Sequence, residues 1–155
     1  MGSEMCIRDR SKANYSGKID FDNLRGKQKS YKGMEAYSRS KLANVLFTQG
    51  LAKRLQNTNV TTNCLHPGVV RTRIGNKDNW LFSLIWTLIK PFMITPEKGA
   101  KTSVFLASSP EAGAISGKYF NENQEERRPS KLARGEDGEA LADKLWAYSM
   151  KAVGL

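Results

Sequence analysis

The 155-residue chain is expected to be α/β, the C-terminal part of a doubly wound parallel sheet, and three stretches point that way. Leu42 to Leu55 keeps apolar residues at helical spacing and ends in a basic turn, Lys53-Arg54, where a helix C-terminus favours cations. Val60 to Leu65 is a short β-type run closed by His66-Pro67-Gly68, and Lys118 to Phe120 is a second. A helix feeding a strand that stops at Pro-Gly is the second half of a βαβ unit, and in open α/β sheets ligands bind beyond the carboxyl ends of such strands.

Taken in order, residues 1–10, MGSEMCIRDR, shift abruptly in composition at Ser11 and read as a foreign or artefactual leader outside the fold. Residues 11–155 form the domain itself. Tyr37-Ser38-Arg39-Ser40-Lys41 opens the first helix, which continues through Leu55. Trp80 to Ile94, apolar but broken by Lys90-Pro91, falls short of the roughly 20 residues a spanning helix needs, so it does not cross a bilayer. Thr95-Pro96-Glu97 supplies an N-cap, a proline at the first helical position and an acidic first turn for a helix through Lys98 to Ala107. Asn121 to Glu139, charged and punctuated by Pro129, Gly135 and Gly138, reads as a surface loop before a last helix, Ala140 to Lys151. Two strands cannot complete a doubly wound sheet, so exposed apolar helix faces and poor stability are expected of the isolated chain.

Tyr37 and Lys41 stand four residues apart, so on a helix they share a face with Cβ atoms roughly 5–6 Å apart. A phenol is a poor acid or base at neutral pH, and a fixed neighbouring cation favours its ionised form. The pair can therefore work as a proton-transfer device for a carbonyl or alcohol oxygen. By itself Tyr-x-x-x-Lys is a weak signal, since the same spacing arises in helices where the tyrosine is rim and the lysine is solvated.

The agreement of further stretches raises it. YSRSKLANVLF, LHPGVVRT, TPEKGAKTSVFLA and SGKYF, in that order, resemble the short-chain dehydrogenase/reductase family and within it the retinol-dehydrogenase-like branch, over nearly everything from Ser11 onward. The resemblance implies a Rossmann-type sheet. It implies Tyr37 as general acid/base, with Lys41 lowering its pKa and holding the nicotinamide ribose. Ser11 stands where that family orients the substrate oxygen. Pro67, Gly68, Val69, Val70 and Thr72 match the turn that contacts the nicotinamide end. The cofactor implied is NADP(H), with NAD(H) as second choice, and the residues that would read the ribose 2′ position are not in this chain. Nor does the chain carry the glycine-rich turn of the nucleotide-binding half or the family's Asn-Ala-Gly segment, so the expectation is the C-terminal part of a longer enzyme.

Residues 80–94 follow the cofactor turn, where this family carries a substrate lid; Trp80 and Trp86 would also suit a membrane interface. The substrate implied is a lipophilic small molecule, such as a retinoid, steroid or fatty aldehyde. Peripheral membrane contact and a homodimer are open on the sequence, and the compartment is unknown, cytoplasmic or membrane-associated. The net charge of +10 is dispersed, with no recognisable nucleic-acid module, which argues against nucleic acid as a partner. Two cysteines and one histidine, His66, provide neither a disulfide framework, a zinc site nor a catalytic triad, so metal is expected to be absent. His66 reads as a structural residue beside the cofactor. The alternative to an oxidoreductase is a non-catalytic fragment that pairs with a full-length homologue or works at a membrane surface.

Overall fold

The computed structural model describes residues 4–9, 12–24, 31–70 and 93–155. Strands β1 (Glu4–Asp9), β2 (Val60–Leu65) and β3 (Tyr119–Phe120) form a parallel sheet in that order. β1 runs beside β2 from Glu4 opposite Val60 to Asp9 opposite Leu65; β3 sets Tyr119 opposite Cys64 and Phe120 opposite Leu65. Read as sequence, residues 1–10 fall outside the fold and two strands remain, whereas the structure makes Glu4–Asp9 a third strand. The cause is the central position of β2. Its buried backbone groups need partners on both sides, and ladder bonds are made by main chain that is indifferent to side-chain identity.

Helix α1 (Gly33–Arg54) begins one turn ahead of Tyr37. Its inner stripe of Ser38, Leu42, Val45 and Leu46 follows helical spacing. Leu42, Val45 and Leu46 meet Ala133 and, from helix α3 (Gly135–Ala152), Ala142 and Leu145 in one core cluster. Phe47 stacks on Trp146 at 5.2 Å between ring centroids, and the Arg54 guanidinium lies 4.2 Å over the same indole. Helix α2 (Pro96–Ser108) starts as its sequence predicts, with Thr95 Oγ1 accepting a hydrogen bond from the Lys98 N–H at 3.3 Å. Its Leu106 packs with Leu65, Ala112 and Phe120 in a second cluster.

Side chains alternate along a strand. Leu65 and Phe120 therefore face α2, while their neighbours Cys64 and Tyr119 face the side where Tyr119 meets Asn14. Helices thus cover both faces, as a parallel sheet requires.

Residues 121–139 differ from the exposed loop expected of them. Ser130 and Ala133 are buried, and the Ser130 N–H donates to Oδ1 of the fully buried Asn14 at 3.1 Å. α3 begins at Gly135 rather than Ala140, because Glu136 and Asp137 suit a helix N-terminus and Gly138 lets the first turn lie on Ala133. A Cβ at Gly138 would come within 2.5 Å of the Ala133 carbonyl carbon, so the glycine that reads as a breaker is a packing requirement.

The Thr62 hydroxyl on β2 is buried without a hydrogen-bond partner. Thr62→Val keeps the shape and removes the unpaired group, and should raise stability by about 1 kcal/mol or more in a urea melt.

Candidate active site

α1 carries Tyr37 and Lys41 on one face, with Lys41 Nζ 5.3 Å from the centroid of the Tyr37 ring, within cation–π range. Tyr37 is 44% exposed. The turn that bears it is fixed from behind. Ser38 is buried, its Oγ 3.2 Å from Ser16 Oγ, and Gly17 packs so closely that a Cβ there would sit 2.5 Å from the Ser38 carbonyl oxygen. Arg39 donates to the Asn23 carbonyl one residue further on. The segment after β1 thus lies along the inner face of α1, behind Tyr37, and holds its N-terminal half in place.

Beyond the carboxyl end of β2, the His66 N–H donates to the Phe120 carbonyl at 2.8 Å and the chain then turns through Pro67 to Val70. Gly68 has φ +84°, a conformation glycine adopts freely, and a Cβ there would also lie 2.8 Å from Ile94 Cδ1. The Val69 carbonyl accepts from the Ile94 N–H at 3.0 Å, and Val70 pairs with Ile94 in a parallel bridge. Val70 packs on Gly99 of α2, whereas Val69 is 59% exposed. Packing therefore fixes Gly68 and Val70 and leaves Val69 outward. Ser11, Thr72 and positions 80–92 of the expected lid lie outside the described residues; of that lid, Ile94 is the residue that buttresses the turn.

A cleft of about 360 Å³ opens beyond the ends of β2 and β3, between Tyr15, His66, Tyr119, Asn121, Glu122 and Arg127. None of these was assigned a catalytic or binding role from sequence; His66, read there as a structural residue beside the cofactor, is almost fully buried. The lining mixes polar groups with the two tyrosine rings, where a lipophilic substrate predicts a mainly apolar pocket. Only position in the fold, just past the strand ends, could have singled out Tyr15 and Glu122. Another cavity, about 390 Å³, lies against Gln49, Lys53 and Glu139, and at 1.5 Å per helical residue its Gln49 wall is roughly 18 Å from Tyr37. It is remote from the chemistry.

Burial pushes the Tyr119 hydroxyl well above its ordinary pKa near 10, with Tyr15 adding to the shift and the Asn14 side chain opposing it by a hydrogen bond. A folded-state pKa above the unfolded one means that the unfolded chain releases this proton first. The associated stability is intact below pH 10 and falls as pH rises through and beyond it. Tyr119→Phe should flatten that alkaline loss, seen as a smaller drop in Tm between pH 9 and pH 11 than in the parent chain.

The short chain dehydrogenase family profile matches residues 23–80, the stretch that holds Tyr37, Lys41 and the Pro67 to Thr72 turn. Retinol dehydrogenase 14 of Homo sapiens is 47% identical over 152 residues, covering 94% of this chain and 43% of that protein. The chain belongs to the short-chain dehydrogenase/reductase family, in its retinol-dehydrogenase-like branch. Retinol dehydrogenase 13 of Homo sapiens is 40% identical over 154 residues, again 94% of this chain and 44% of that protein. The chain thus spans less than half the length of the curated relatives it matches. Among solved structures, a protein of Mycobacterium paratuberculosis superposes with TM-score 0.68 at 22% identity, over 96% of this chain and 50% of that one. A short chain dehydrogenase of Burkholderia cenocepacia in complex with NADP does so with TM-score 0.54 at 21% identity, over 77% of this chain and 44% of that one. These structural likenesses establish a partial Rossmann-type fold for the short-chain dehydrogenase/reductase chain.

Proposed function

We propose that this chain supplies the acid/base half of an NADP(H)-dependent oxidoreductase that interconverts an alcohol and a carbonyl on a lipophilic, retinoid-like substrate. The observation that carries the proposal is the Tyr37–Lys41 pair on one exposed face of α1, held by Ser16, Gly17 and Ser38. Relatives named retinol dehydrogenases at 40–47% identity support the substrate class. The NADP complex of a structural neighbour is in keeping with the coenzyme.

The residues present fit the nicotinamide and ribose end of such a cofactor. Lys41 offers an ammonium donor to a ribose hydroxyl, and the turn after β2 keeps Val69 outward while Gly68 and Val70 are braced on Ile94 and Gly99. Pro67, Gly68, Val69, Val70 and Thr72 would seat the nicotinamide, whose reactive carbon, when bound, supplies or accepts hydride. Tyr37 Oη then gives its proton to the carbonyl oxygen in the reducing direction and takes it from the hydroxyl in the oxidising one. The positive charge of Lys41 stabilises the phenolate that this transfer leaves. Ser11 would donate a hydrogen bond to the same substrate oxygen and orient it.

The test is an assay of the full-length enzyme with all-trans-retinaldehyde and NADPH or NADH, following cofactor oxidation. Faster turnover with NADPH is expected. No turnover of retinaldehyde, steroid ketones or long-chain aldehydes with either coenzyme would overturn the proposal.

A further inference from the structure

Packing or backbone explains the glycines around the site: a Cβ on Gly17, Gly99 or Gly138 would come within 2.6 Å of another atom, and Gly68 has φ +84°. Gly33 has neither reason. Its φ is not positive, and among the described residues a Cβ there would meet, beyond its chain neighbours and its own helix backbone, one atom within 4 Å, Tyr31 Cε1 at 3.8 Å. That is ordinary contact, so the fold accepts a side chain at this position. Gly33 is also the first residue of α1 rather than its cap, and within a helix glycine holds the backbone less firmly than alanine. A glycine that the fold does not need, at a cost to the helix it opens, calls for a reason outside the fold.

Its place supplies one. Gly33 stands four residues before Tyr37 and Met34 three before it, so on α1 the two fall on either side of the tyrosine on one helical face. Helical side chains lean toward the N-terminus, which carries the Tyr37 phenol over the turn that Gly33 and Met34 begin. Met34 is 75% exposed and Tyr31 is 64% exposed, two large apolar groups beside the proton donor. Glu35, paired with Lys32 at 3.0 Å, falls on the opposite side of the helix, so the Tyr37 side is free of that charge. The result is a notch with Gly33 as its floor, the Tyr31 ring at its edge and Met34 as an apolar shoulder across the phenol.

We propose that Gly33 is a specificity residue: the space over it receives a methyl branch of the substrate close to the reacting carbon, and Met34 carries the apolar chain beyond. The inference deepens the proposed alcohol/carbonyl chemistry and rests on it for the pose, but the binding it describes requires no turnover. Four helical residues, about 6 Å at about 1.5 Å each, separate Gly33 from Tyr37, so the branch must lie within a few bonds of the oxygen that meets the phenol. The preferred substrate class is therefore a methyl-branched allylic alcohol, or the corresponding enal, over its straight-chain isomer. A methyl group in an enclosed apolar pocket changes preference by about 10–200-fold. This notch is open on one side, and a smaller factor is expected.

The 155-residue chain, labelled at the methionine methyl groups, is titrated with geraniol and with (E)-2-decen-1-ol, which have equal carbon counts, following the Met34 methyl resonance by NMR. Geraniol is expected to bind at least threefold more tightly. Gly33→Val should bring that ratio to one or below by filling the notch, and Gly33→Ala should lower it part of the way without lowering Tm, which separates a filled notch from a damaged helix. Equal binding of the two alcohols by the unaltered chain, no binding of either, or a ratio unchanged in both variants would overturn the proposal. So would a Met34 resonance that moves with protein concentration and not with alcohol, since the face would then belong to a second copy of the chain. Because no cofactor turnover is measured, failure of the oxidoreductase assay and failure of the notch are read independently.

Discussion

Tyr37→Phe is expected to remove nearly all turnover of the proposed full-length oxidoreductase, a loss of about 10²–10⁴-fold in kcat, the scale on which a positioned acid/base group contributes. Cofactor binding is expected to persist. Lys41 Nζ lies over the Tyr37 ring, 5.3 Å from its centroid. A phenylalanine ring carries the same negative face and can hold the ammonium in place, so the lysine remains available to a ribose. The fold should be indifferent as well: Tyr37 is 44% exposed, and substitutions at such positions usually change stability by less than about 0.5 kcal/mol. The measurement pairs steady-state kinetics with cofactor titration by fluorescence. A variant that keeps full activity would eliminate Tyr37 as the proton donor, and one that loses both activity and cofactor affinity would make its role one of binding.

How much of this was legible in the residues differs from element to element. β2 was read to the residue, Val60 to Leu65, because a β-branched start and a Pro-Gly stop frame it. The start of α2 was legible for a comparable reason, since Thr95, Pro96 and Glu97 each have a local role that depends on nothing distant. β1 was missed because its place is set by the unpaired edge of β2, a tertiary fact that leaves little trace in Met5-Cys6-Ile7. The early start of α3 was missed because Gly138 has two readings, helix breaker or close contact, and Ala133, which decides between them, becomes a neighbour only after folding. At the site, Tyr37 and Lys41 were visible because the helical repeat brings them together without help from the rest of the fold.

The segment between β1 and α1 provides a second large effect, this time on stability: Gly17→Ala should cost about 1–3 kcal/mol, the usual range for forcing an extra methyl into a packed site. The added Cβ would lie 2.5 Å from the Ser38 carbonyl oxygen and 2.8 Å from Leu42 Cβ, the first a backbone atom inside a helix and the second a residue at 0% exposure in the main core cluster. Neither can move alone. Displacing Ser38 pulls on its hydroxyl contact with Ser16, and displacing Leu42 disturbs its packing with Val45, Leu46 and Leu145. Each kcal/mol lost should lower Tm by roughly 2–4 °C in a chain of this size. Since Ser38 is the residue next to Tyr37, the same strain should shift the phenol relative to its substrate. Below the melting transition, turnover of the full-length variant should therefore fall in kcat more than in cofactor affinity. Calorimetry and kinetics together check this: unchanged Tm would show that α1 can yield at Ser38 and that Gly17 is not what holds the turn bearing Tyr37.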